Sequence, residues 1–388
     1  MFFDGQDVMT QFDLTDDQRE IQELARRFTA DAITPYAAEW DEKHIFPRDT
    51  IRAAAELGFG GIYVSEASGG IGLGRLEAAI IMEAMAYGCP STSAFISIHN
   101  MSAWMIDRFG SQALRDKYLP DLVPMTRMAS YCLTEAGAGS DAASIRTRAV
   151  REGDDYVITG SKQFISGGGE NDVYVVMCRT SDDGAKGISC FVIEKDMPGV
   201  SFGAQEKKLG WHSQPTAQVN FDGVRVPAEN LVGAEGEGFR IAMMGLDGGR
   251  LNIGACSLGG AQRCLDEAVQ YTRDRRQFGK AIADFQATQF TLADMETELQ
   301  AARVLLYAAA VKVTENAPDK TRFAAMAKRL ATDTGSSVAD RALQLHGGYG
   351  YLMDYPIERI WRDLRVHSIL EGTNQVMRMI VGRDMVRQ

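Results

Sequence analysis

The sequence predicts an α+β multidomain chain: an N-terminal helical domain, a middle antiparallel, barrel-like β domain and a C-terminal four-helix bundle. Three observations predict it. Apolar residues recur at helical spacing up to about residue 127, and do so again from residue 236 to the end. Between them, residues 128–235 hold short β-branched and aromatic runs with no long helical pattern, which suggests a compact antiparallel sheet or barrel and not a βαβ unit. With 388 residues the chain also exceeds what a single core usually holds. The boundaries expected are 1–127, 128–235 and 236–388.

The first helix starts after Thr15, which with Gln18 makes a capping box ahead of Ile21, Leu24, Ala25, Phe28 and Ala32. Pro35 interrupts it. Helical patterns resume around Asp49–Leu57, Leu76–Tyr87, Ser93–Phe109 and Gln112–Leu119. The run G-G-I-G-L-G at 69–74 lacks both the spacing and the lysine of a phosphate loop, so it reads as an ordinary loop. Strands are expected at Tyr156–Ile158, Val173–Cys178, Ile188–Ile193 and Ala217–Val226, the last carrying a turn-prone Asp222-Gly223. Four long helices come next: Phe239–Thr272, Phe285–Glu315, Asp319–Leu345 and a broken one over Pro356–Val386. In the second of these, Leu292, Met295, Leu299, Ala302, Leu306, Ala309 and Val313 alternate three and four apart, the pattern of a bundle seam.

Composition excludes several classes. A formal net charge of −11 opposes binding to nucleic acid through phosphates, and no apolar run has the length of a membrane span. The opening dozen residues are acidic, not Arg-rich, so no signal or transit peptide is read and a cytoplasmic location is expected. The six cysteines and five histidines show no metal-ligand spacing, and no metal is expected; reduced, buried thiols are the reading.

Chemistry concentrates in H-S-I-L-E-G-T-N-Q-V-M-R, residues 367–378. Glu371 sits between Ile369-Leu370 and Gly372 without a neighbouring cation, as a partly dehydrated carboxylate of raised pKa would. Thr373 is an N-cap for a last helix, so Glu371 falls in a break between helices. A lone glutamate there would ordinarily be a solvated carboxylate. Earlier in the chain, Y-C-L-T-E-A-G-A-G-S-D (131–141) ends a strand in a turn of small residues, which lets backbone N–H groups approach a flat ring closely.

That stretch resembles the first signature of the acyl-CoA dehydrogenases. Their second signature resembles Q-L-H-G-G-Y-G-Y-L-M-D-Y-P-I-E-R-I-W-R-D (344–363), and R-R-Q-F-G-K-A-I-A-D-F-Q (275–286) and L-E-G-T-N-Q-V-M-R match further motifs. The resemblance spans essentially the whole chain in order. It implies FAD as cofactor, a homotetramer, an acyl-CoA substrate and an electron-transferring flavoprotein as electron acceptor. Glu371 is implied as the catalytic base. Implied cofactor contacts are Tyr131, Leu133, Thr134, Ser140, the strand Phe164-Ile165-Ser166, Arg275, Gln286, Gln344, Gly347, Gly348, Thr373, Asn374 and Gln375. Arg275 would reach the FAD of a neighbouring subunit. Asp247, Arg250, Ser140 and Arg383 are implied in substrate contact. The runs 93–107, 162–170 and 174–180 look most like short branched-chain members, which makes Ile96, Ser97, Met101 and Leu370 the expected floor and wall of the acyl pocket.

Relatives that carry the base on a helix do so just before the position of Arg250, where this chain has Gly249; nitroalkane oxidases place Asp where it has Glu371. Both differences favour the short branched-chain reading. Other short or branched acyl groups, an acyl-CoA oxidase in which oxygen is the acceptor, and a DNA-binding flavoprotein on the same scaffold are the competing readings, the last opposed by the net charge.

Overall fold

The computed structural model describes residues 14–386. The N-terminal part contains α1 (Asp16–Phe28), α2 (Ala37–Glu42), α3 (Arg48–Glu56), α4 (Arg75–Gly88), α5 (Pro90–Phe109) and α6 (Gln112–Leu122). The capping box is formed in both directions: Gln18 N donates to Thr15 Oγ1 at 3.2 Å, and Thr15 N to Gln18 Oε1 at 3.1 Å. A π-turn over Thr29–Ile33 carries the chain into the Pro35 turn, and α2 behind it was not anticipated. α6 extends past Leu119 through Pro120 because Leu122, one turn on, is needed in the core. The glycine run 69–74 is open loop.

The middle part holds β1 (Ala129–Cys132), β2 (Arg148–Glu152), β3 (Asp155–Ser166), β4 (Val173–Arg179), β5 (Ile188–Glu194), β6 (Val200–Phe202), β7 (Thr216–Pro227) and β8 (Leu231–Val232). They form one sheet in the order β6-β7-β3-β2-β4-β5-β8, with β1 beside β4. The pairing is mainly antiparallel, but β1 runs parallel to β4 from Ala129↔Val173 to Cys132↔Val176, and β2 meets β4 in parallel at Arg148↔Arg179. The expected turn at Asp222-Gly223 is instead a bulge inside β7. Ile158 pairs with Val224 and Gly160 with Phe221, so one extra residue on β7 is absorbed while Gly223 adopts a φ of +63°.

The C-terminal part consists of α7 (Gly238–Asp274), a hairpin of β9 (Arg276–Gln277) and β10 (Lys280–Ala281), then α8 (Gln286–Thr314), α9 (Lys320–His346), α10 (Pro356–Arg365) and α11 (Asn374–Val386). The predicted α8 seam is the buried one: Met295, Leu299, Ala302, Leu306 and Ala309 are fully enclosed, and Leu292 and Val313 pack at its edges. Helical and β parts are joined by a buried histidine. His99 accepts from Ala129 N at Nδ1 (3.0 Å) and reaches Leu122 O through Nε2 (2.8 Å), and burial pulls its pKa down to about 4. All six cysteines are free and buried. No helix among the described residues is long and apolar enough to cross a membrane.

Candidate active site

Glu371 lies in the break between α10 and α11, at a φ of +54° that a non-glycine residue rarely adopts. Gly372 comes next at φ +89°, and Thr373 caps α11 by accepting Val376 N at 3.3 Å. This left-handed turn directs the Glu371 side chain at α7. A Cβ built on Gly249 would stand 2.4 Å from Glu371 Oε2 and 2.9 Å from its Cδ, so any side chain there would oblige the carboxylate to shift from this position. Although the residue as a whole is half-buried, Oε2 is sealed from solvent and has no hydrogen-bond partner. Burial therefore pushes the Glu371 carboxyl up to about 7, while the Lys328 and Arg250 charges pull it back. A carboxylate that ionises near neutrality, with one oxygen shut off from water and unpartnered, is suited to take a proton from a weakly acidic C–H.

The surrounding shell is held from two helices. Arg250 on α7 donates to the Glu371 carbonyl at 3.4 Å and ion-pairs with Asp247 at 2.7 Å, and Asp247 in turn accepts from Thr321 Oγ1 at 2.7 Å. Lys328 on α9, wholly buried, donates to Gly372 O at 2.8 Å and to Asn374 Oδ1 at 2.9 Å. The Asn374 side chain is also bonded to Thr332 and Asp333, so only its backbone remains for the cofactor contact expected of it. Among the described residues the Glu371 N–H has no acceptor, which leaves it free to bind a ligand carbonyl. His367, which opens the motif, is a core residue: Nδ1 bonds Ser257 Oγ at 2.7 Å, and burial lowers its pKa to about 3.

The small-residue turn after β1 is tied to β3. Gln163 N donates to Thr134 O at 2.8 Å, and the buried Lys162 bonds Leu133 O and Glu135 Oε1 at 3.1 and 2.8 Å. Nothing lies within 4 Å of a Cβ built on Gly137 or Gly139, and Ser140 is exposed, so this loop presents an open cradle. Phe164 stands beside it at φ +60° and is 63% exposed, an aromatic face left bare. Tyr131 has a buried hydroxyl with no partner. Orphaned donors, bare ring and open backbone fit a flat heteroaromatic cofactor. Ile165 and Leu133 do not present side chains to it. Both are buried in the cores on either side of the sheet, because side chains alternate along a strand, so their expected contacts reduce to backbone.

The second expected cofactor set lies elsewhere. Arg275, Gln344, Gly347 and Gly348 line an open cavity of about 470 Å³ with Tyr271 and Tyr349, and Gln286 is exposed at the start of α8 nearby. From Gly249 to Arg275 (275 minus 249) is 26 residues of α7, or about 39 Å of helix. The structure thus keeps these residues apart from the Glu371 turn, where Thr373 and the exposed Gln375 sit. Arg383 is exposed on α11, and no hydrogen bond among the described residues ties it to that turn.

Of the expected acyl-pocket residues, Ser97 and Met101 share one face of α5 toward α7. Asn252 Nδ2 donates to Ser97 Oγ at 3.0 Å, and a Cβ on Gly245 would meet Met101 Cγ at 3.4 Å. Leu370 packs at the core edge next to the base. Ile96 sits a helical step away, on the Asn100 face, where Asn100 holds Phe59 O and Ile62 N, and it is buried in the main core; its part in an acyl pocket stays an expectation. Sequence patterns did not point to Tyr63, Arg75, Asn252 and Lys328. Arg75 stacks on Tyr63 at 3.6 Å with Nη1 buried and unpaired beside Gly248, and Asn252 leaves Oδ1 unpartnered. Lys328 could have been found, since it stands on the stripe Ala324, Ala331, Gly335 where α9 is otherwise small and buried.

The fold and this glutamate turn define an acyl-CoA dehydrogenase scaffold, and the chain belongs to that family. Models of its N-terminal, middle and C-terminal domains match residues 15–126, 130–224 and 236–386. Among individual proteins, it is 54% identical to mitochondrial isobutyryl-CoA dehydrogenase of Dictyostelium discoideum, over 96% of this chain and 90% of that protein. It is 52% identical to the mitochondrial isobutyryl-CoA dehydrogenase of Bos taurus, over 97% and 90%. The solved butyryl-CoA dehydrogenase of Megasphaera elsdenii superposes with a TM-score of 0.94 at 39% identity, over 97% of this chain and all of that one.

Proposed function

We propose that the protein is an FAD-dependent dehydrogenase of short branched acyl-CoA thioesters, converting isobutyryl-CoA to methacrylyl-CoA in valine degradation. The observation that carries the reading is Glu371: a buried carboxylate with a free oxygen, a pKa near 7 and an unpaired backbone N–H beside it. In this reading Glu371 removes the α-proton of the substrate, and its N–H binds the thioester carbonyl, on which negative charge develops as the proton leaves. The α-C–H electron pair becomes the new C=C bond as the β-hydrogen departs with its own pair. When bound, FAD supplies the acceptor for that hydride, and an electron-transferring flavoprotein drains the electrons. Tyr131, Thr134, Ser140, Phe164 and Ser166 would hold the flavin ring end, with Thr373 and Gln375 at its edge. Asp247 and Arg250 would fix both the substrate and the Glu371 loop, with Arg383 a further substrate contact.

The proposal includes a homotetramer, supported by the separation of the two expected cofactor sets along α7. A residue set about 39 Å from the base serves the cofactor of another copy more readily than its own. It also includes domain divisions after residues 127 and 235, which limited proteolysis tests, and a cytoplasmic location, which fractionation tests against the mitochondrial one in the names of the two relatives.

Steady-state rates with isobutyryl-, 2-methylbutyryl-, butyryl- and isovaleryl-CoA test the substrate. Isobutyryl-CoA should give the highest kcat/KM; a methylene in such a pocket is worth only about 1–3 kcal/mol, so margins of about tenfold are expected. Faster turnover of octanoyl-CoA would remove the short-chain assignment.

A further inference from the structure

We propose that Lys328 is the positioning residue of Glu371: its buried ammonium pins the turn that carries the base and provides the unneutralised positive charge that keeps the carboxylate ionised. The inference deepens the proposed function and rests on Glu371 being the base.

Lys328 is fully buried on α9, yet among the described residues no carboxylate lies within salt-bridge distance of it. Its hydrogen bonds go to two neutral acceptors, Gly372 O at 2.8 Å and Asn374 Oδ1 at 2.9 Å, so the side chain grips the residue immediately after the base and the first residue of α11. If anchoring alone were needed, a neutral amide would serve. An isolated buried ammonium is costly, and such a charge persists where its field has a use. Two of its three N–H groups are engaged, and on the turn that it grips Glu371 Oε2 is buried without a partner.

The other groups around Glu371 supply less of this charge. Arg250 on α7 also pulls the Glu371 carboxyl down, but less than Lys328 does, and it is paired with Asp247 at 2.7 Å. Asp333 on α9 accepts from Asn374 and lies 3.6 Å from both Arg329 and Arg378. Arg75 at the start of α4 is a further buried cation, but it sits over the Tyr63 ring, and the charges that pull on the Glu371 carboxyl are those of Lys328 and Arg250; Tyr63 and Tyr131 are phenols whose pKa burial raises, and His367 is neutral against Ser257. After desolvation, Lys328 is the largest influence on the Glu371 carboxyl, and the coupling is mutual: burial pulls Lys328 down to about 8 while Glu371 pushes back up.

Three variants separate charge from anchoring in the FAD-loaded enzyme: Lys328→Met removes both, Lys328→Gln keeps a donor for Gly372 O, and Lys328→Arg keeps the cation. The readouts are the infrared carboxylate band of Glu371, identified by its loss in Glu371→Gln and titrated with pH, and the pH profile of flavin reduction by isobutyryl-CoA. Met and Gln should each move both midpoints up by about one pH unit, with a fall of about fivefold in reduction rate at pH 7 and little change in KM. Lys328→Arg should return the midpoints most of the way to wild type. Unchanged midpoints in Met and Gln overturn the proposal, even if the rate falls. So does failure of both to fold while Lys328→Arg folds, which would make the charge structural. The infrared titration does not depend on turnover, so Glu371 proving not to be the base shows separately, as wild-type reduction by Glu371→Gln.

Discussion

The two ends of α7 are built to opposite rules. At Gly249 the helix touches the Glu371 turn: Arg250 and Lys328 hold the loop, Thr373 caps α11, and Oε2 is enclosed without a partner. At the Arg275 end, Phe278 on the hairpin is 91% exposed, Tyr351 and Met353 are bare, and Gln344 to Gly348 line an open cavity. Large apolar side chains left exposed are what the proposed assembly would cover. In the proposed reading the acid-base chemistry uses atoms fixed within one rigid body, whereas grip on the cofactor would be shared between copies.

The strongest test of the closed end is Glu371→Gln, which keeps size and removes the base. Reduction of the flavin by isobutyryl-CoA should fall by about 10²–10⁴-fold, while FAD content is unchanged, as measured by anaerobic stopped-flow bleaching. Wild-type bleaching would mean that another residue is the base.

Gly249→Ala tests the same end from the helix side. Its methyl would fall 2.4 Å from Oε2, so the carboxylate must move, and misplacement of that order costs about 10²-fold in kcat. Gly249→Glu in the Glu371→Gln background would bring a carboxylate from the helix side against the amide at position 371, and recovery of any pH-dependent reduction would show that the place and not the residue number matters.

A smaller effect is on stability. The folded-state pKa of Glu371, about 7, lies above its ordinary value of 4.5, so the fold favours the protonated form. That contribution is complete below pH 4.5 and is lost as pH rises through 7. Glu371→Gln carries no charge to bury, so it should be more stable than wild type at pH 8 by about 3 kcal/mol and equal to it near pH 4. Denaturant melts at the two pH values measure this. An equal gap at both would show that the carboxylate is not strained by burial.

The open end should respond least. Arg275→Ala should weaken FAD retention by about tenfold and loosen assembly in parallel, without moving the pH midpoint of reduction. A monomeric form that retains FAD like wild type would break the contrast between the two ends.

Helix seams, the α1 capping box, the loop character of residues 69–74 and the glutamate between helices were legible in the sequence, because periodicity, caps and glycine act over a few residues. The features left open by the sequence have a common cause. The parallel β1–β4 pair, the bulge at Asp222-Gly223 and the burial of Ile96 in the main core depend on partners tens of residues away. So does the electrostatics of Glu371. In sequence it has no neighbouring cation, yet folding brings Lys328, 43 positions earlier (371 minus 328), and Arg250, 121 positions earlier (371 minus 250), to its turn. Short-range backbone preferences were written locally and determined which elements form and where the carboxylate interrupts them. Burial and Coulomb fields act through space, so only the tertiary structure decided that this carboxylate is enclosed, which charges it feels, and that its pKa is about 7.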